Sequence, residues 1–137
     1  EVVFIGPCLA KRHEADSVDE VDYVMSFEEL GAFMVAYDID VANCSEKELN
    51  HEVTKYGRGF AQAGGVQAAV VNAIGNKYSN IHIEGLDKKN QALLKSMAKK
   101  PDAQFVEVMA CDGGCINGPC SLAPLTLAKR QIKKVLE

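Results

Sequence analysis

Phe105-Val106-Glu107-Val108-Met109-Ala110-Cys111-Asp112-Gly113-Gly114-Cys115 is the stretch on which the reading of this chain turns. Its first five residues, Phe105 to Met109, are rich in β-branched and apolar side chains, the composition of a strand. That strand delivers the chain straight into two cysteines separated by three residues, two of them glycine. A pair at this spacing reaches two corners of one metal cluster only if the loop curls tightly, and Gly113-Gly114 supply a backbone free to do so. The N–H groups of this loop are expected to donate to cluster sulfides, a contact that tunes reduction potential.

Working outward, strands alternate with helices. Val2-Val3-Phe4-Ile5 reads as a buried strand stopped by Gly6-Pro7, and Asp22-Tyr23-Val24-Met25 as a second short strand. Ser26 followed by Glu29 forms a capping box ahead of a helical run from Leu30 to Tyr37. Ser45 and Glu48 make a similar pair, so a short helix is expected to begin there. Tyr56 to Gly65 holds four glycines in ten residues and reads as a loop, with Gly64-Gly65 as a tight entry to the next helix. Beyond it Val66, Ala69, Val70, Ala73 and Ile74 fall on one helical face. Ile81-His82-Ile83-Glu84 alternates as a half-buried strand ended by Gly85. Asp87 then caps a helix with Leu93, Leu94 and Met97 inward, which Pro101 ends. A last amphipathic helix is expected from about Leu122 to the end. Its Leu125, Leu127, Ile132, Val135 and Leu136 face mostly inward, and basic residues near its C-terminus suit the helix dipole. The pattern predicts an α/β fold: a layered, largely parallel sheet with flanking helices, in one domain over residues 1–137.

The bulk composition excludes several classes. The chain has 137 residues, 47% hydrophobic and 25% charged, and a net charge of −4, so it presents no basic face for nucleic acid. No apolar run approaches the roughly 20 residues that span a bilayer, and no signal peptide is visible, which points to a cytoplasmic protein. The sequence opens inside an apolar run without an initiator Met, which reads as an excised domain or processed product. Five cysteines, an odd count, argue against a disulfide framework. Cys8, Cys115 and Cys120 each follow Gly or Pro, and such turns are where thiolates hold iron–sulfur clusters or zinc. In a parallel sheet ligands collect beyond the carboxyl ends of strands, so the loops carrying Cys8 and Cys111 are expected to converge. Cys44 and Cys120 read by default as small core residues, Lys11 as a surface charge and Met109 as a strand-end filler. His13, His51 and His82 lack ligand spacing.

The segment Phe105 to Cys115 resembles the third signature of di-iron (iron-only) hydrogenases. Pro7-Cys8-Leu9-Ala10-Lys11-Arg12-His13-Glu14 resembles the second, and Gly64-Gly65-Val66-Gln67-Ala68-Ala69 is similar to a further stretch of that family. The resemblance implies half of the iron-only hydrogenase catalytic domain, in its C-terminal part. Cys8, Cys111 and Cys115 would ligate a 4Fe–4S cubane, and Cys115 would bridge to the di-iron subcluster where hydrogen reacts. Lys11 would donate to an iron-bound cyanide, Met109 would wall the di-iron pocket, and Glu14 would support them by pairing with a basic neighbour. The implied activity is interconversion of hydrogen with protons and electrons under anaerobic conditions.

The family's first signature, which carries the fourth cubane ligand and a proton-relay thiol, is missing from these residues. The implied partners are therefore an upstream part of the same polypeptide, an electron carrier such as ferredoxin, and hydrogenase maturation proteins. The fragment alone is expected to be apo and inactive. Gly6 stands where the family usually has Met, and Asn117-Gly118-Pro119-Cys120 replaces its glycine-rich tail; both resemble the sensory branch. Two alternatives stay open: a Cys₄ zinc or iron–sulfur module built from Cys8, Cys111, Cys115 and Cys120, and a hydrogenase-like iron–sulfur assembly protein without a di-iron site.

Overall fold

The computed structural model describes residues 1–48, 53–75 and 77–137. It divides into two compact units, one of residues 1–52 with 118–122 and one of residues 53–117 with 123–137. Each holds one two-stranded parallel sheet, so the expected α/β class and parallel pairing are both observed.

In the first unit β1 (Val3–Ile5) pairs with β2 (Tyr23–Met25), Phe4 opposite Val24. Helix α1 (Ala10–Ala15) connects them, and α2 (Phe27–Ala36) follows β2 directly. The capping box that starts α2 is complete: Ser26 Oγ accepts from the Glu29 N–H at 3.2 Å, and Glu29 Oε2 accepts from the Ser26 N–H at 2.8 Å. Glu29 also takes both of its oxygens to Arg12 of α1 at 2.6 Å, which ties the two helices. The backbone bond from Ser26 and the Arg12 guanidinium hold the Glu29 carboxyl down from its ordinary 4.5 to about 2.

Because the folded state resists protonating Glu29, its stabilising contribution is present above pH 4.5 and is lost as pH falls through about 2. Amide exchange across α2 should therefore quicken in acid relative to a Glu29→Gln variant, whose α2 should show no such added loss between those two pH values. Equal acid sensitivity of the two proteins would contradict the capping role.

Ser45–Glu48 does not open a helix within residues 45–48, and the rest of that expectation, residues 49–52, lies outside the described residues. Instead Asp40 caps a 3₁₀ turn over Val41–Asn43, accepting from the Ala42 N–H at 3.1 Å. Asp40 lies three residues before Asn43, and its other oxygen takes the Asn43 amide at 2.7 Å, so the local acceptor settles the turn earlier in the chain.

In the second unit β3 (Asn80–Glu84) and β4 (Phe105–Met109) pair in register, Glu84 opposite Met109. Helix α5 (Lys88–Met97) crosses between them, started by Asp87 Oδ1 accepting from the Asn90 N–H at 2.7 Å. Ile83 and Met97 are the buried apolar residues of this small core.

The glycine-rich segment is not the loop expected: it winds into a short helix α3 (Lys55–Arg58) and a 3₁₀ turn over Gly59–Ala61. Thr54 starts it by accepting from the Gly57 N–H at 3.2 Å, and the missing side chains at Gly59 and Gly65 let two backbones touch. Helix α4 (Gly65–Ile74) begins at Gly64, in the left-handed region with φ +83°. Its expected inward face is covered only in part: Val66, Ala69 and Val70 are half-buried, whereas Ala73 and Ile74 are exposed. Helix α6 (Leu125–Leu136) starts three residues later than its apolar pattern suggested, because Pro124 supplies the N-cap; Leu122 is left exposed.

Candidate metal centre

The loop after β4 is held in a strained-looking but well-supported curl. Gly113 and Gly114 take φ +80° and +86°, conformations closed to most side-chain-bearing residues. The Gly114 N–H donates back to the Cys111 carbonyl at 3.1 Å, closing the turn between the two cysteines. From the end of β3, Glu84 Oε2 accepts the Gly113 N–H at 2.6 Å, and the Ala63 N–H donates to the Gly113 carbonyl at 3.1 Å. A Cβ on Gly114 would lie 2.5 Å from the Ala63 nitrogen, so only glycine fits between the loop and the entry to α4. Strand end, neighbouring strand end and helix entry thus fix one loop. Cys111 is half-buried in it and Cys115 exposed.

Two N–H groups expected to face a cluster are already engaged, Gly113 with Glu84 and Gly114 with Cys111. That expectation is corrected: these amides shape the loop. Glu84 was not singled out from sequence, since its partner lies 29 residues away. Glu107 was missed as well. It is 5% exposed in the middle of β4, and its two oxygens accept the Gly64 N–H at 3.1 Å and the Gln67 N–H at 2.7 Å. It caps α4 from another strand, which Gly64 with no side chain cannot do for itself. A carboxylate on the same strand face as Phe105 and Met109 was the available signal.

In the first unit Cys8 follows β1 and is half-buried. Three residues on, Lys11 opens toward Glu14, with Nζ 2.6 Å from Glu14 Oε2, and lies 5.9 Å from the centre of the Phe4 ring. Glu14 thus has the basic neighbour expected for it, and that neighbour is Lys11. These two residues, with Phe4, Ala15, Val18, Val21 and Val24, line a cavity of about 270 Å³. Cys120 is half-buried and Cys44 is exposed, its Sγ 3.3 Å from the Asp40 carbonyl, so Cys44 is a surface residue and no core filler. His13 sits 3.8 Å from Asp16, and His82 Nδ1 lies 2.9 Å from Gln67 Oε1. Met109, half-buried, ends β4 in the second unit.

Cys8 belongs to the first unit, and Cys111, Met109 and Cys115 to the second. Among the described residues no three His, Cys, Asp or Glu side chains stand close enough together to hold a metal ion, and no disulfide joins the five cysteines. The donor chemistry nonetheless suits a thiolate-bound group: none of the three cysteines is buried, and each follows a strand.

Two parallel strand pairs, a curled glycine-gated loop between two cysteines, and a proline-preceded third cysteine define an α/β protein with thiols in the loops that follow its strands. The chain belongs to the iron-only hydrogenase large-subunit family, whose C-terminal domain model matches residues 1–119. Iron hydrogenase 1 of Clostridium pasteurianum is 37% identical over 73 residues, which is 52% of this chain and 13% of that protein. An FeFe-hydrogenase structure describing stepwise H-cluster assembly matches with a TM-score of 0.59 at 16% identity, covering 95% of this chain and 51% of its own. A second, describing oxygen inactivation through degradation of the 2Fe subcluster, matches at 0.62 and 17% identity, covering 98% and 52%. At such identities the likeness is one of fold. The chain spans about half of those structures. Among the described residues no helix is long and apolar enough to cross a membrane.

Proposed function

We propose that this chain is the C-terminal, H-cluster-binding part of a di-iron hydrogenase that interconverts hydrogen with protons and electrons, in catalysis or in hydrogen sensing. The observation that supports it most is the Cys111–Cys115 loop, curled by Gly113 and Gly114 and fixed by Glu84, in a chain of this family. Cys8, Cys111 and Cys115 would hold a 4Fe–4S cubane, with Cys115 shared with a di-iron subcluster. When bound, that group supplies the open iron site and the electron store of the reaction.

The residues of this chain do the rest. A lysine ammonium carries three donors, and Glu14 occupies one of those of Lys11, which leaves others for an anionic ligand such as iron-bound cyanide. The Phe4 ring and Glu14 limit the positions Lys11 can adopt. Met109, at the end of β4 and two residues before Cys111, would help exclude water from the di-iron pocket. Proton relay and the fourth cubane ligand would come from an upstream part of the same polypeptide, maturation proteins would install the subcluster, and a ferredoxin-like carrier would exchange electrons in the cytoplasm. The isolated chain would then turn over no hydrogen.

Infrared spectra of the full-length protein, matured with a di-iron precursor, test this. Bands of iron-bound carbonyl and cyanide are expected. Stoichiometric zinc with no such bands would overturn it in favour of a Cys₄ module.

A further inference from the structure

We propose that Cys8 and Cys120 form a dithiol–disulfide couple that decides whether Cys8 is available to the cluster; the proposal rests on the reading of Cys8 as a ligand. Cys120 has no role in the proposed cluster, yet the first unit holds its backbone against Pro7, the residue before Cys8. The Cys120 N–H donates to the carbonyl of Pro7, the residue bonded to Cys8, at 3.1 Å. Covalent geometry turns that bond into a bound on the two cysteines. The Pro7 oxygen lies about 2.8 Å from the Cys8 Cα across a planar trans peptide, and about 4 Å from the Cys120 Cα along a well-aligned bond. The two Cα atoms are therefore no more than about 7 Å apart, a ceiling that leaves open the roughly 4.4–6.8 Å that a disulfide spans.

Prolines precede both residues, Pro7 and Pro119, and each fixes its own φ, which narrows the conformations open to either turn. Both residues are half-buried and neither is fully enclosed. Cys44, in the same unit, is exposed with its Sγ toward the Asp40 carbonyl, and serves as an internal competitor.

The step balances with a disulfide oxidant of the glutathione class. One cysteine thiolate attacks the oxidant, releasing one thiol; the second cysteine then attacks the mixed disulfide, releasing the other. A Cys8–Cys120 S–S bond forms, two S–H bonds are lost, and the two electrons and two protons leave as two glutathione thiols. Bound in this way Cys8 has no thiolate to give to iron, and reduction restores it.

The test uses the full-length protein freed of iron. It is oxidised with glutathione disulfide, its remaining thiols are alkylated, and its peptides are mapped by mass. A linked pair carrying Cys8 and Cys120 is expected. Iron uptake on anaerobic reconstitution should fall about tenfold or more in the oxidised protein and return with dithiothreitol. Cys120→Ser should load iron when reduced and, after oxidation, should give no linked pair but Cys8 alkylated or carrying glutathione; Cys120→Ala serves the same purpose if the serine variant folds poorly. Recovery of wild-type Cys8 alkylated, or joined to Cys44, overturns the couple while leaving the ligand reading intact. Failure of reduced Cys120→Ser and Cys120→Ala to load iron also overturns it, since Cys120 would then be a ligand. A Cys8–Cys120 link that leaves iron uptake unchanged, together with full iron in Cys8→Ser, overturns both the switch and the ligand reading.

Discussion

Replacing Gly65 with alanine is expected to destabilise the second unit by about 3 kcal/mol or more, the upper end of what overpacking costs. A Cβ at this position would overlap the carbonyl oxygen of Gly59 and stand 2.6 Å from its carbonyl carbon. Both partners are backbone, so no side chain can swing aside, and both glycines are buried. The conformation is not the obstacle, because Gly65 is the first residue of α4 and is helical; the closeness of two backbones is. Gly31 makes the contrast. It lies inside α2 with nothing within 4 Å of its would-be Cβ, so Gly31→Ala should stabilise by roughly 0.5–1 kcal/mol through helix propensity alone. Denaturant titration followed by circular dichroism reads both. Gly65→Ala without a lowered midpoint would mean that the Gly59–Gly65 contact does not exist.

The second large effect is expected at Glu107. Leucine there keeps much of the volume but leaves the N–H groups of Gly64 and Gln67 without acceptors in a closed environment. Each orphaned donor costs about 1–3 kcal/mol, and bonds to a carboxylate stand at the strong end, so Glu107→Leu should lose about 3–5 kcal/mol. Glu107→Gln should fall between, since its amide keeps one oxygen as acceptor and turns an N–H₂ toward the other donor. Amide exchange at the start of α4 gives the residue-level readout: the Gly64 and Gln67 amides should exchange fastest in the leucine variant. Unchanged protection there would remove Glu107 from the role of a cap supplied across the fold. Because α4 enters beside Ala63, which holds the Gly113 carbonyl, loosening this cap should also loosen the cysteine loop.

What sequence revealed and what it concealed divides by distance along the chain. Ser26 with Glu29 and Asp87 with Asn90 are three residues apart, and both helix starts were legible because the donor and acceptor sit within one turn. The strands before Cys8 and Cys111 were legible from β-branched composition, and the parallel pairing followed from the helices between them. The glycine-rich segment was misread because glycines were counted as breakers, when two of them make room for a backbone contact six residues apart. Glu84 and Glu107 were invisible as loop and helix supports, since their partners lie 29 and about 40 residues away and no local pattern announces them. Cys120 beside Pro7 is the extreme case, a contact between opposite ends of the sequence. The candidate ligands themselves were legible as thiols after strands, while the support that shapes their loop was not.

The most direct measurement is iron and acid-labile sulfide per chain in the anaerobically reconstituted full-length protein, with the electron paramagnetic resonance spectrum of its reduced form. It should be made on the wild type and on Cys8→Ser, Cys111→Ser and Cys115→Ser one at a time. If the three thiols share one cubane, each substitution should abolish or visibly alter the reduced-cluster signal and lower iron, while Cys44→Ser should change neither. Full iron and an unaltered spectrum in Cys8→Ser would separate position 8 from the other two and contradict the assignment of a common cluster.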